Sequence, residues 1–272
     1  MTMNMESAEI EIEEILLVWK QSLIAIGTVL AIGGGIMLAQ EIIPHPIRGR
    51  DGFLYYLGWP LYFILVWGGI GIGGTFVYTK AYGDENIWGV PSLDELQNRY
   101  VASMLLALVT MAALGTLNAF VGVFEQDILT FVLTFGGPAP VGTLESLSGL
   151  VVGTAFGVLM VALLFGPAVA AVTHGVLQRS LADVFGTAPA IYSTATSVAV
   201  VVAFGFSAGI PVGFESVATF IVGFLFVLTT AMAFADTERL AVPIIGYGLL
   251  AGISFVLRVL PTAIWYMTEV PK

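Results

Sequence analysis

Cysteine is absent from this 272-residue chain, and charge is scarce. Without cysteine there are no disulfides, no thiolate-held iron–sulfur clusters and no thiol nucleophile. Charged residues make up 10% of the chain, where a soluble domain carries about 25%, so a large soluble fold is excluded. Histidine occurs twice, at His45 and His174, far apart in sequence. Two such residues cannot supply the paired axial ligands of a multi-haem cytochrome. Lysine occurs at Lys20, Lys80 and Lys272 alone. The basic patch that would displace counterions from nucleic acid is therefore missing, and nucleic acid is not an expected partner.

Several motifs are missing as well. No G-x-x-x-x-G-K-[ST] loop occurs, so nucleotide hydrolysis is not expected. A retinal-type Schiff base would need a lysine deep in the last apolar stretch, and Arg258 is there instead. An aspartyl intramembrane protease needs two membrane aspartates, and Asp236 stands alone at a stretch end. No catalytic, cofactor-binding or metal-ligating residues are assigned, and the expectation is a protein without enzymatic activity.

What the chain does have is apolar length. Apolar residues make up 58%. Seven stretches carry no Asp, Glu, Lys or Arg: Gln21–Gln40, Phe53–Thr79, Tyr100–Phe124, Ser146–Thr173, Val184–Phe214, Ser216–Ala235 and Leu240–Leu257. Crossing the hydrocarbon layer takes about 20 such residues as a helix, and backbone groups in lipid must bond internally. The expected fold is all-α, a polytopic bundle of seven transmembrane helices spanning residues 15–267. A short acidic tail, 1–14, precedes it and 268–272 follow. Its solvent and partner is the lipid bilayer. The N-terminus lacks the basic start of a secretory signal, having Glu6, Glu9, Glu11, Glu13 and Glu14, so the first stretch is expected to stay as a span.

Acidic residues outnumber basic ones 19 to 9. An acidic, lysine-poor exterior stays hydrated in concentrated salt, where the Debye length falls to about 3 Å. The balance resembles that of salt-loving archaea. Lys20, Lys80, Arg99, Arg179 and Arg239 fall on the N-terminal side of a seven-span topology, against Arg48, Arg50, Lys272 and Arg258 on or near the other. The positive-inside rule then places the N-terminus in the cytoplasm and the C-terminus outside the cell membrane. In this scheme Lys80–Arg99, His174–Asp183 and Asp236–Arg239 are cytoplasmic loops. The apolar run Ile128–Phe135 is too short to cross, so Gln126–Thr143 reads as an external interfacial or re-entrant segment.

Two junctions resemble each other, Pro140–Ser146 and Pro211–Ser216, and a parallel repeat of helical hairpins would explain them. Small residues recur every four positions: Gly27, Ala31, Gly35 and Ala39; Gly149, Gly153 and Gly157; Gly248 and Gly252. That spacing lets helix backbones approach closely, within the chain or against a second copy or another membrane subunit. Gly68, Gly69, Gly71, Gly73 and Gly74 crowd the second stretch. Glycine costs a helix about 1 kcal/mol, so a flexible or locally unwound region is the alternative there to a plain packing seam. Pro167 lies well inside a stretch and should bend it.

Polar residues inside apolar stretches are the candidates for function. Arg258 should reach the external interface or pair with a carboxylate among Glu125, Asp127, Glu145 and Glu215. Asn118 reads as an interhelical hydrogen-bond donor. His174, with Thr173 and Gln178, reads as a solvated residue bordering a cytoplasmic loop, with a proton relay as the alternative. The leading expectation is a small transporter or permease-like protein, with Arg258 and Glu145 or Glu215 gating an external vestibule. The alternative is a non-catalytic scaffold or accessory subunit of a membrane complex.

Overall fold

A computed structural model of the chain describes residues 5–42, 64–83, 86–121, 155, 158–205, 214–253 and 256. These residues are helical, with short connections and no strand among them. We number the helices α1 (Met5–Ile42), α2 (64–81), α3 (Leu93–Leu96), α4 (Arg99–Val121), α5 (Val158–Phe185), α6 (187–205), α7 (Phe214–Thr237) and α8 (Ala241–Ile253). Every one of the seven apolar stretches carries one of the longer helices. Three segments are long and apolar enough to cross a membrane: Glu14–Ala39, Val158–Phe185 and Thr219–Thr237. Within the described residues the apolar parts of α4, α6 and α8 are shorter, at Arg99–Ala113, Thr187–Ala203 and Ala241–Ile253. The acidic N-terminal residues from Met5 onward are helical and continuous with the first stretch.

The molecule is apolar on the outside as well as the inside. Trp19, Leu30 and Met37 on α1 are 63%, 68% and 70% exposed. Soluble monomers rarely show such contiguous apolar surface, and lipid tails would solvate it. The core runs between α4, α5, α7 and α8, where Met104, Val176, Phe226 and Leu250 are buried.

Glycine sets the closest approaches. A Cβ on Gly71 would lie 2.6 Å from Ala168 Cβ, joining α2 to α5, and one on Gly74 would lie 3.0 Å from Ile32 on α1. A Cβ on Gly166 would lie 2.6 Å from both Cα and N of Gly248, so α5 and α8 touch backbone to backbone. Gly252, one turn on from Gly248, meets Val158 at 3.4 Å. The four-residue seam expected in the last stretch is thus used within the chain. Gly27 on α1 has no neighbour that a Cβ would meet.

Over the described residues 64–81 the glycine-rich second stretch is helical, with wider i→i+5 winding over Ile64–Ile72 that reverts to α at Gly73. Packing against Ile32 and Ala168 offsets the propensity cost of its glycines, so this part of the stretch widens without breaking. Around Pro167 the ladder also changes: Val161–Phe165 winds wide just before it, and Ala171–Gln178 winds wide after Gly166–Ala170. Proline has no N–H for the i−4 carbonyl and its ring crowds that carbonyl, and a wide turn relieves both. Pro189 and Pro243 fall in the first turns of α6 and α8, where a missing N–H costs least.

The described connections gather at one end. Gly186, at φ +85°, is the sole residue between α5 and α6. Between α7 and α8 the chain turns through Glu238, at φ 53°. Leu240 N–H donates to the Ile87 carbonyl (2.9 Å), Arg239 Nη1 to the Asn86 carbonyl (2.6 Å), and Asn98 Nδ2 to Asp236. Arg239 also lies 3.7 Å from Glu95. Ser92 and Glu95 form a capping box that starts α3. Tyr78, near the end of α2, hydrogen-bonds Ser180 near the end of α5.

Candidate functional site

The sequence reading placed His174 at the edge of a loop, and the structure overturns that. Helix α5 runs on past Thr173 to Phe185, carrying His174 and Gln178 one turn apart on one face. Their exposures are 0% and 2%, inside the bundle. The loop was misplaced because Thr173, His174, Gln178 and Arg179 lower local hydropathy without ending the helix.

The side chains lock one another. Gln178 Nε2 donates to the Ala231 carbonyl of α7 at 2.8 Å. That bond turns Oε1 toward His174, whose Nδ1 lies 2.5 Å away. An amide oxygen only accepts, so Nδ1 carries the hydrogen, an assignment made from the bonding network. In the neutral ring the lone pair then sits on Nε2. Nε2 is buried and has no hydrogen-bond partner among the described residues. Leaving such a group unpaired costs about 1–3 kcal/mol, and orphaned groups of this kind mark sites with work beyond packing.

Aromatic rings enclose it. Phe234 of α7 and Tyr247 of α8 each lie 5.7 Å from the imidazole, centroid to centroid. Tyr247 meets Phe226 edge-on at 5.4 Å. Its hydroxyl faces Thr173, whose own hydroxyl donates to the Val169 carbonyl at 2.8 Å. Three helices therefore converge on His174.

A cover sits over this cluster at the end where the connections gather. Ile87, 1% exposed, packs with Phe234 and Leu240. Leu240 also presses the turn that holds His174, since a Cβ on Gly175 would lie 3.1 Å from Leu240 Cδ1. The polar bonds of Arg239 and of the Leu240 N–H hold this cover in place. A separate cleft of about 290 Å³ is lined by Phe76, Thr79, Lys80 and Trp88 and shares no residue with the His174 cluster.

Of the residues proposed from sequence, Arg258, Glu125 and Glu145 lie outside the described residues, as do the re-entrant segment 126–143 and the Pro140–Ser146 junction. Asn118 is on α4 and Glu215 is in the first turn of α7. Sequence reasoning passed over Tyr247 and the His174–Gln178 pairing. The legible signal was the i, i+4 spacing of two polar residues in an apolar run, together with one tyrosine in the last stretch. Among the described residues no group of three or more His, Cys, Asp or Glu could hold a metal ion. No protein-family model, curated protein or solved structure matches this chain.

Proposed function

We propose that the chain is a small transporter or permease-like membrane protein in which His174 meets the transported species. The carrying observation is an ionisable side chain fully enclosed in an apolar helical bundle, with one ring nitrogen held and the other without a partner among the described residues. An ionisable residue at such depth is costly, and its default reading is a transport or relay site.

A seven-span topology with a cytoplasmic N-terminus belongs to the proposal. It is supported by the hydrogen bonds that bring the 82–98 connection onto the α7–α8 turn, and by Tyr78 bonding Ser180. In that topology all three regions share one side. Arg258, with Glu145 or Glu215, would line the opposite vestibule.

Purified protein in liposomes should take up a small polar solute from a labelled panel under an imposed pH or ion gradient, and Arg258→Leu should abolish that uptake. The second reading, an accessory or scaffold subunit, draws on α1, whose apolar residues are largely uncovered. Isolation from native membranes separates the two. A stoichiometric partner with no solute uptake would replace the transporter reading.

A further inference from the structure

We infer that the species His174 takes is a proton, bound at Nε2 in exchange with a conformation in which the Ile87–Phe234–Leu240 cover is open. The flux arm of the test rests on the transporter reading; the binding arm does not.

The observations select a proton from the ligands an imidazole can hold. A metal ion would need further donors, and the described residues offer no cluster that could supply them. A polar solute would need several hydrogen-bonding groups converging beside Nε2, whereas the ring's aromatic neighbours are Phe234 and Tyr247. A proton needs only the lone pair. Nδ1 already holds its hydrogen against Gln178, so Nε2 is the one position on the ring that can change. The step balances simply. A hydronium at the opened cover gives its proton to Nε2, a new N–H bond forms, water leaves, and imidazole becomes imidazolium. Both aromatic ring centroids, tilted against the imidazole, lie within the roughly 6 Å over which a ring stabilises a cation. The enclosed conformation holds the neutral ring; the charged ring belongs to the one that water reaches.

Among the described residues no other ionisable group hydrogen-bonds the ring. Tyr247 of α8 is the titratable side chain facing the ring. Elements packed on α5 also carry Glu14 and Lys20 on α1, Tyr78 and Lys80 on α2, Tyr192 on α6 and Asp236 on α7, with Arg179 and Asp183 farther along α5 itself. Among the described residues the hydrogen bond of the ring is to Gln178 alone.

The chain has two histidines, so nitrogen-15 labelling of histidine gives two ring spectra, and His45→Ala identifies which belongs to His174. In lipid nanodiscs at neutral pH, His174 should show a protonated Nδ1 and a bare Nε2. On acidification Nε2 should gain its proton while Nδ1 keeps its own. In liposomes with an internal pH dye and a potassium ionophore to balance charge, an external acid step should acidify the lumen. His174→Phe should cut that rate to that of empty vesicles. If the Phe variant does not fold, Gln178→Leu decides: it removes the oxygen holding Nδ1–H, so mixed tautomers and slower acidification are expected. A hydrogen on Nε2 at neutral pH overturns the proposal, as does a bare Nε2 at every pH where the protein is folded. Unchanged flux in the variants overturns it too. Titration at Nε2 without wild-type flux above empty vesicles leaves the proton site standing and removes the transporter reading.

Discussion

Replacing Gly166 with alanine tests whether helix contact in this protein is set by backbone approach. The added methyl would sit 2.6 Å from Gly248 Cα, 2.6 Å from Gly248 N and 2.9 Å from the Tyr247 carbonyl carbon. Comfortable carbon–carbon contact is about 3.5–4.0 Å, so α5 and α8 must part by roughly 1 Å. All three obstacles are main chain, and no rotamer change can relieve them. Overpacking of this kind costs about 1–3 kcal/mol. With about 2–4 °C per kcal/mol for a chain of this size, the melting temperature in detergent should fall by roughly 2–12 °C. Gly27→Ala is the matched control: the same methyl on α1 meets no neighbour and should gain up to about 1 kcal/mol from helix propensity. Thermal unfolding followed by circular dichroism measures both. Equal melting temperatures for the two variants would refute the backbone-contact argument.

Three further outcomes follow from the same geometry. Gln178→Leu should cost about 1–3 kcal/mol by stranding the buried His174 Nδ1–H, read as a lower melting temperature. Because the chain has no cysteine, Ala233→Cys on α7 provides a single buried thiol. Adding Ile87→Ala should speed its labelling by a water-soluble thiol reagent at least about tenfold, since truncating a buried isoleucine costs about 2–5 kcal/mol; an unchanged rate would show that Ile87 is no cover. The Ser92 backbone N–H donating to Glu95 (2.5 Å), helped by the Ser92 hydroxyl and Arg239, holds the Glu95 carboxyl below its ordinary value of 4.5. A depressed folded value means the contribution is complete above about pH 4.5 and fades as pH falls toward the folded value. Protection of residues 92–98 in hydrogen exchange should drop over that acid window, and Glu95→Gln should flatten the response.

Helix positions were legible in the sequence because lipid-compatible stretches are long and charge ends them. Each stretch from Gln21–Gln40 to Leu240–Leu257 carries a helix in the described residues. Reading failed where polarity and termination part company. Thr173, His174, Gln178 and Arg179 look like an exit from the membrane, yet the chain keeps its helix to Phe185, and Gly186 supplies the turn. The glycine cluster from Gly68 to Gly74 looks like a weak point until its neighbours are known; Ile32 and Ala168 turn it into a packing face. Neither neighbour is close in sequence, so propensity alone could not find them. The bare Nε2 of His174 was beyond reach for the same reason. It depends on the Ala231 carbonyl, 53 residues away, choosing the orientation of the Gln178 amide.

That dependence joins the polar end of the molecule to its buried histidine. Phe234 touches the imidazole on one side and packs with Ile87 and Leu240 on the other. Ile87 and Leu240 share a backbone hydrogen bond, and Arg239 fixes the adjacent carbonyl of Asn86. The Arg239–Glu95 pair is part-exposed, 31% for each side chain, and exposed ion pairs contribute about 0–1 kcal/mol. The fastening is therefore weak while the covering contacts are apolar and close. Ile87 is therefore held mainly by its apolar contacts with Phe234 and Leu240, and moving Phe234 exposes the ring of His174 at once. A cover with this division suits a site that must be shut against water most of the time and opened without unfolding the bundle.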